Sequence, residues 1–157
     1  MGVVRRELYY AHVDDRDTPL EETLEAFSRL VQGGKVRFMG ASNYSAWRLE
    51  EARCVSLLNE WPEYCCVQQR YTYLRPRHGA SFAPQLAVND GLLDYCRQRN
   101  LTLLAYSVLL SGAYTRPERP IPDQYTGVDA DERLAALGSV AEELGVSPNQ
   151  VILAWMM

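Results

Sequence analysis

Few side chains in this 157-residue chain are of types that do chemistry, and their spacing removes most of the usual sites. The histidines are His12 and His78, and the cysteines stand at 54, 65, 66 and 96. No CxxC pair and no His/Cys group at zinc spacing occurs. A disulfide framework and a structural metal are therefore disfavoured, and the thiols read as reduced and mostly buried. Asp14-Asp15 resembles a catalytic carboxylate pair, but adjacent residues on a strand or loop point apart, so solvation or capping is their expected role. Arg70, Arg75 and Arg77 interleave with Tyr71 and Tyr73 like a basic aromatic patch. A net charge of -4 gives no field for a phosphate backbone, so a solvated loop is expected there, with an exposed His78. What remains is a set of polar residues that each follow or end an apolar run: His12, Ser42-Asn43, Gln68 and Tyr106-Ser107. Each also has a plain structural reading, as a satisfied core histidine, an Asx-type turn, a ladder-adjacent polar residue or a strand aromatic.

The elements that position them follow from periodicity. Leu8-Tyr9-Tyr10-Ala11-His12-Val13 has the profile of a strand buried on both faces. Thr18-Pro19-Leu20-Glu21 reads as a capping box with proline at the first helical position, opening a helix whose Leu20, Leu24, Phe27 and Leu30/Val31 share a face and which Gly33-Gly34 ends. Lys35 to Ala41 is a second strand, and Ser45 can cap a helix running to about Leu58. Tyr64 to Gln68 is the third strand; after a loop, a helix near Asp90 to Arg99 leads to the fourth, Leu101 to Tyr106. The proline-containing stretch from Ser111 to Val128 reads as a loop over a ligand face. A helix from 130 to 144 ends at Gly145, and Ser147-Pro148 starts another.

Alternating strands and helices at this spacing predict a parallel sheet with helical crossovers. An open dinucleotide-binding sheet should carry a glycine-rich turn after a strand, and neither G-x-G-x-x-G nor a P-loop motif occurs. Polar residues at the C-terminal end of every strand suit the active face of a barrel. The expected fold is therefore α/β, a partial (β/α)8 barrel of about four parallel βα units in one domain spanning 1–157.

Those strand ends, with Gly34-Lys35-Val36-Arg37 and Gly40-Ala41-Ser42-Asn43-Tyr44-Ser45, closely resemble the aldo-keto reductase superfamily, nearest its potassium-channel β-subunit-like branch. The resemblance runs from about Glu7 to the last residue. It implies that the strands correspond to barrel strands 4–7, with strands 1–3 and 8 absent, and that the cofactor is NADP(H). It assigns His12 to the catalytic set, where it orients the substrate carbonyl. Ser42, Asn43 and Gln68 match the residues that clamp the nicotinamide carboxamide, and Tyr106 the ring on which the nicotinamide stacks. Ser107 and the turn from Leu109 through Ser111 to Gly112 would approach the pyrophosphate. The family's aspartate, proton-donating tyrosine and lysine lie on earlier strands. Val108 stands where many members have proline.

The expected activity is thus reversible hydride transfer between NADPH and an aldehyde or ketone, in a chain inactive by itself. The alternatives are a non-catalytic remnant that binds a nucleotide or partner, and a half-barrel that self-associates to cover its sheet edges. The N-terminal Met1 to Arg6 has charge but no apolar core behind it, Gly2 lacks a myristoylation context, and no run approaches a membrane span. The expectation is a cytoplasmic protein with a small-molecule carbonyl substrate and neither nucleic acid nor membrane as partner.

Overall fold

The computed structural model describes residues 6–157, so the reading of the first five residues lies outside it. Its elements are β1 (Arg6–Ala11), α1 (Leu20–Gln32), β2 (Val36–Ser42), α2 (Ala46–Leu58), β3 (Cys66–Arg70), α3 (Asp90–Arg99), β4 (Thr102–Tyr106), α4 (Val128–Leu144) and α5 (Pro148–Met156). The strands form one sheet in the order β1-β2-β3-β4. β1 pairs parallel with β2 from Arg6 opposite Val36 to Ala11 opposite Ala41, and β2 pairs parallel with β3 at Ala41–Val67 and Ser42–Gln68. This is the expected partial (β/α)8 barrel. Among the described residues, no helix is long and apolar enough to cross a membrane.

The chain divides into two compact units. The first runs to Gln69 and resumes over Pro84–Leu104; the second takes Arg70–Ala83 and Ala105–Met157. In the first, Ala11, Met39, Ala41 and Val67 on alternate strand positions pack with Leu20 and Leu24 of α1, Leu49 and Ala52 of α2, and Leu92 and Cys96 of α3. Covering one face with amphipathic helices is what parallel strands require. In the second, Leu74, Leu110, Tyr125 and Ala130 form a smaller core. Tyr125 anchors the proline-containing stretch, which is not wholly irregular: it holds a 3-10 turn over Asp123–Tyr125.

Several expectations change. β1 ends before His12 and is not buried on both faces, since Tyr9 at the sheet's outer strand is 47% exposed and lies against Phe27. β3 sits two residues later than expected, because pairing begins where the Cys65 N–H meets the Met39 carbonyl at 2.9 Å, while Tyr64 turns into the core beside Tyr44. Arg70 therefore ends a strand instead of standing in a loop. Thr18 forms no capping box: Pro19 takes the N-cap position, and the Thr18 hydroxyl donates to Asp15 at 2.8 Å. Ser45 stands at the N-cap of α2, but its buried Oγ has no hydrogen-bond partner. Cys66 and Cys96 are buried, whereas Cys54 and Cys65 are exposed.

Candidate active site

In the first unit His12, Ser42 and Asn43 gather at the C-terminal ends of β1 and β2, whereas Gln68, expected to end its strand, is the middle residue of β3 because that strand runs on to Arg70. His12 directly follows β1 and is exposed. Ser42 ends β2 and Asn43 follows it; both are buried, at 1% and 4% exposure. Asn43 has a φ of 59°, left-handed backbone that asparagine tolerates because its short amide can bond locally. Its Nδ2 donates to the His12 carbonyl at 3.0 Å and to Ser42 Oγ at 3.1 Å, and its Oδ1 accepts from the Leu86 N–H at 3.2 Å. Its own N–H donates to the Gln68 carbonyl at 3.2 Å. One residue thus ties the ends of β1 and β2 to the middle of β3 and to the segment before α3. The Gln68 side chain is half-buried beside it in sequence register with Ser42.

A second tie was not read from the sequence. The Asp14 carboxylate is only 4% exposed and accepts from Arg48 Nε at 3.0 Å, with Arg16 as a further ionic partner. Arg48, itself buried, also reaches Glu51 at 2.9 Å. The expectation of a solvated or capping Asp14 is corrected. Asp15 does act locally, accepting from the Thr18 hydroxyl and the Asp17 N–H, and the Thr18 bond foremost lowers its pKa. The segment carrying His12 is therefore held twice, by Asn43 at its carbonyl and by Arg48 two residues on. The only sequence signal was an acid shortly after a strand and an arginine in the first turn of α2.

The second unit holds the other candidates. Tyr106 ends β4 half-buried, with the Arg70 guanidinium 5.5 Å from its ring centre and 5.1 Å from that of Phe82. Arg70 thus occupies one face of the Tyr106 ring. Ser107, Leu110 and Ser111 have φ of 57°, 45° and 57°, and Gly112 has 96°. Non-glycine residues in this region cost about 1–2 kcal/mol each. Such strain persists only where the surroundings impose it, and it concentrates at functional turns. Here the turn is imposed by the Leu110 N–H on the Ser107 carbonyl at 3.1 Å, the Gly112 N–H on Leu109 at 2.8 Å, and the buried Thr72 hydroxyl, which donates to the Val108 carbonyl. A backbone mixing right- and left-handed residues can turn N–H groups toward one side, a form suited to an anion, although the Leu110 and Gly112 N–H groups are here taken by the turn itself. Ser107 and Leu109 are half-buried and Ser111 is exposed.

Reducing a carbonyl also needs an acid of suitable pKa. Burial foremost raises the phenols of Tyr10, Tyr44, Tyr64, Tyr114 and Tyr125 above the ordinary range, against the lowering effect of Tyr64 on Tyr44, of Thr72 on Tyr114 and of Arg70 on Tyr125, and Tyr95 is pushed up to about 12. These phenols are the reverse of an activated general acid. Among the described residues, no group of three or more His, Cys, Asp or Glu is placed to hold a metal.

Sequence comparison matches the Aldo/keto reductase family over residues 1–157. The chain belongs to that family. It is 30% identical to aldo-keto reductase str7 of Strobilurus tenacellus, with all of this chain covering 47% of that protein. It is 26% identical to aldo-keto reductase yakc [NADP(+)] of Schizosaccharomyces pombe, covering 46% of it. A protein of the same yeast named as a voltage-gated potassium channel subunit beta is 25% identical, with 48% of its length covered. Among solved structures, thermostable aldo-keto reductase Tm1743 superposes with a TM-score of 0.68 at 29% identity over 96% of this chain and 45% of that one. The chain spans about half the length of the curated relatives it matches.

Proposed function

We propose that this aldo/keto reductase chain carries the cofactor-facing part of an NADP(H)-dependent reductase of aldehydes or ketones, and that by itself it does not turn over. The observation that carries the reading is the gathering of His12, Ser42 and Asn43 at the ends of the adjacent parallel strands β1 and β2, with Gln68 of β3 in register with Ser42, at the end where a (β/α)8 enzyme keeps its chemistry. Ser42, Asn43 and Gln68 would hold the nicotinamide carboxamide. Both donors of the Asn43 amide already serve His12 and Ser42, so its share is to aim the Ser42 hydroxyl, which keeps its own proton to donate, while Gln68 offers a donor and an acceptor. Tyr106 would stack on the nicotinamide, with the Arg70 guanidinium beside its ring. The strained turn with Ser107, Leu109 and Ser111 suits the pyrophosphate. The bound cofactor supplies the hydride. His12, exposed and held at its carbonyl, would orient the substrate oxygen. None of the six upward-shifted phenols is an activated acid for the product alkoxide, which is in keeping with an inactive chain. Its setting is proposed as cytoplasmic, as one partial barrel domain with a small-molecule carbonyl substrate and no nucleic-acid or membrane partner.

NADPH fluorescence titration tests the binding half, with Tyr106→Ala expected to weaken affinity about tenfold, as losing a ring stack of about 1 kcal/mol or slightly more requires. Unchanged affinity would remove Tyr106 from the site. NADPH oxidation with a panel of aldehydes is expected to stay at background; sustained turnover would overturn the inactive reading. One further observation favours self-association as a second reading: β1 and β4 stand outermost in the sheet order, and a second copy could pair with them. Light scattering that finds a folded monomer at all concentrations sinks it.

A further inference from the structure

Cys65 and Cys66 adjoin the start of β3, and their Sγ atoms lie 3.8 Å apart although one thiol is exposed and the other buried. Adjacent residues in extended strand direct their side chains to opposite faces, and would hold two sulfurs well apart. Here Cys65 precedes the first strand residue, so both sulfurs turn together. Cys66 Sγ contacts Tyr10 Oη at 3.5 Å. The room for this comes from Gly40 on β2: a Cβ there would fall 2.8 Å from Cys66 Sγ and 2.8 Å from the Tyr10 ring. The thiol and phenol therefore occupy space that only glycine leaves. A disulfide needs its sulfurs at about 2.0 Å. Two sulfurs each about 2.3 Å from one soft centre at a tetrahedral angle lie about 3.8 Å apart. The two thiols are in contact at 3.8 Å, a separation that two bonds to one thiophilic atom also span.

We propose that Cys65 and Cys66 form a dithiol site for a trivalent organoarsenical or chemically equivalent thiophilic centre. Each Sγ–H passes its proton to an arsenic-bound hydroxyl, which leaves as water while an As–S bond forms. Arsenic stays trivalent, so no oxidant or reductant is needed. Partial burial, with Cys66 beside it, pushes the Cys65 thiol up to about 11, so at neutral pH this sulfur enters the exchange as the thiol and gives its proton to the leaving water. The two attachments make the second bond intramolecular, so retention should exceed that of any single thiol by about 100-fold or more. The exposed Cys54 and the buried Cys96 have no such neighbour among the described residues.

The test is intact-mass spectrometry of the chain after incubation with phenylarsine oxide. The expected result is one adduct that survives excess glutathione, is removed by 1,2-ethanedithiol, and is lost at least about 100-fold from both Cys65→Ser and Cys66→Ala. Cys54→Ser should retain it. Because Cys66 is buried, the exposed Cys65→Ser variant keeps the test valid if Cys66→Ala does not fold. Retention unchanged in Cys65→Ser, or an adduct that glutathione strips from the parent, overturns the proposal. NADPH binding is measured in parallel and fails or holds independently of this result.

Discussion

Two turns follow strands in the two units, and they are held in opposite ways. After β2, Asn43 takes one left-handed residue and compensates it with side-chain bonds to His12, Ser42 and Leu86, next to the Asp14–Arg48 pair. After β4, Ser107, Leu110 and Ser111 carry left-handed backbone that backbone bonds and Thr72 impose. The first turn is a satisfied structural knot, which leaves little of it to change when a ligand arrives. The second stores strain, with its Leu110 and Gly112 amides bonded to carbonyls of the turn itself. A cofactor's fixed recognition suits the first, and accommodation of a phosphate group suits the second.

The contrast breaks most visibly at Asn43. Asn43→Leu removes the amide, leaves the His12 carbonyl and Leu86 N–H without it, and puts a branched residue at positive φ. A destabilisation of about 2–3 kcal/mol is expected in urea unfolding, from about 1 kcal/mol for each lost hydrogen bond to a part-buried group plus the backbone term. A loss under about 1 kcal/mol would mean that the knot is not structural. Arg48→Met leaves the buried Asp14 carboxylate with Arg16 alone, for which about 2–3 kcal/mol is expected, short of the figure for a wholly orphaned charge. The strained turn should respond with the opposite sign. Ser111→Gly, at an exposed position with φ of 57°, is expected to stabilise by about 1 kcal/mol and raise the melting temperature by a few degrees. A neutral or destabilising result would show that the Ser111 side chain earns its conformation.

The smallest effect comes from a site away from both turns. Arg53, Arg99 and Tyr95 all donate to the Glu50 carboxylate, tying α2 to α3, and the Arg53 bonds foremost hold its pKa at about 2. A carboxyl lowered on folding stabilises above its unfolded pKa, so this contribution is full at neutral pH and is lost as pH falls from about 5 toward 2. Glu50 is partly solvated, so about 1 kcal/mol is expected after screening, and Glu50→Gln should flatten that part of the stability–pH curve. An unchanged curve would remove Glu50 from the account.

Helix ends with local signals were legible in the sequence. α3 runs over Asp90–Arg99, with Asn89 accepting the Leu92 N–H at 2.8 Å and Asn100 left-handed at φ of 52°. Ser147 caps α5 and exchanges bonds with Gln150. Strand ends were less legible, because register is set by a partner: β3 starts where Cys65 meets Met39, a fact absent from residues 64–70 alone. The Thr18 box failed because Asp15 competes for the same hydroxyl. Of the candidate site, His12, Ser42-Asn43 and Tyr106 could be placed at strand ends, whereas Gln68 could not, because the later register of β3 puts it in mid-strand. The Asp14–Arg48 pair could not be named, since its partners are separated along the chain and Asp14 resembles any loop acid. Nor does anything in the letters Leu110-Ser111 announce left-handed backbone.

The most direct test of a cofactor-facing site is a 15N-resolved NMR titration of the chain with NADPH, following backbone amides and the side-chain amides of Asn43 and Gln68. The account expects saturable shifts concentrated at Ser42, Asn43, Gln68 and the turn from Ser107 to Gly112. Saturable shifts centred instead on the α2–α3 surface around Glu50 and Arg99, or no shifts at millimolar NADPH, would contradict it.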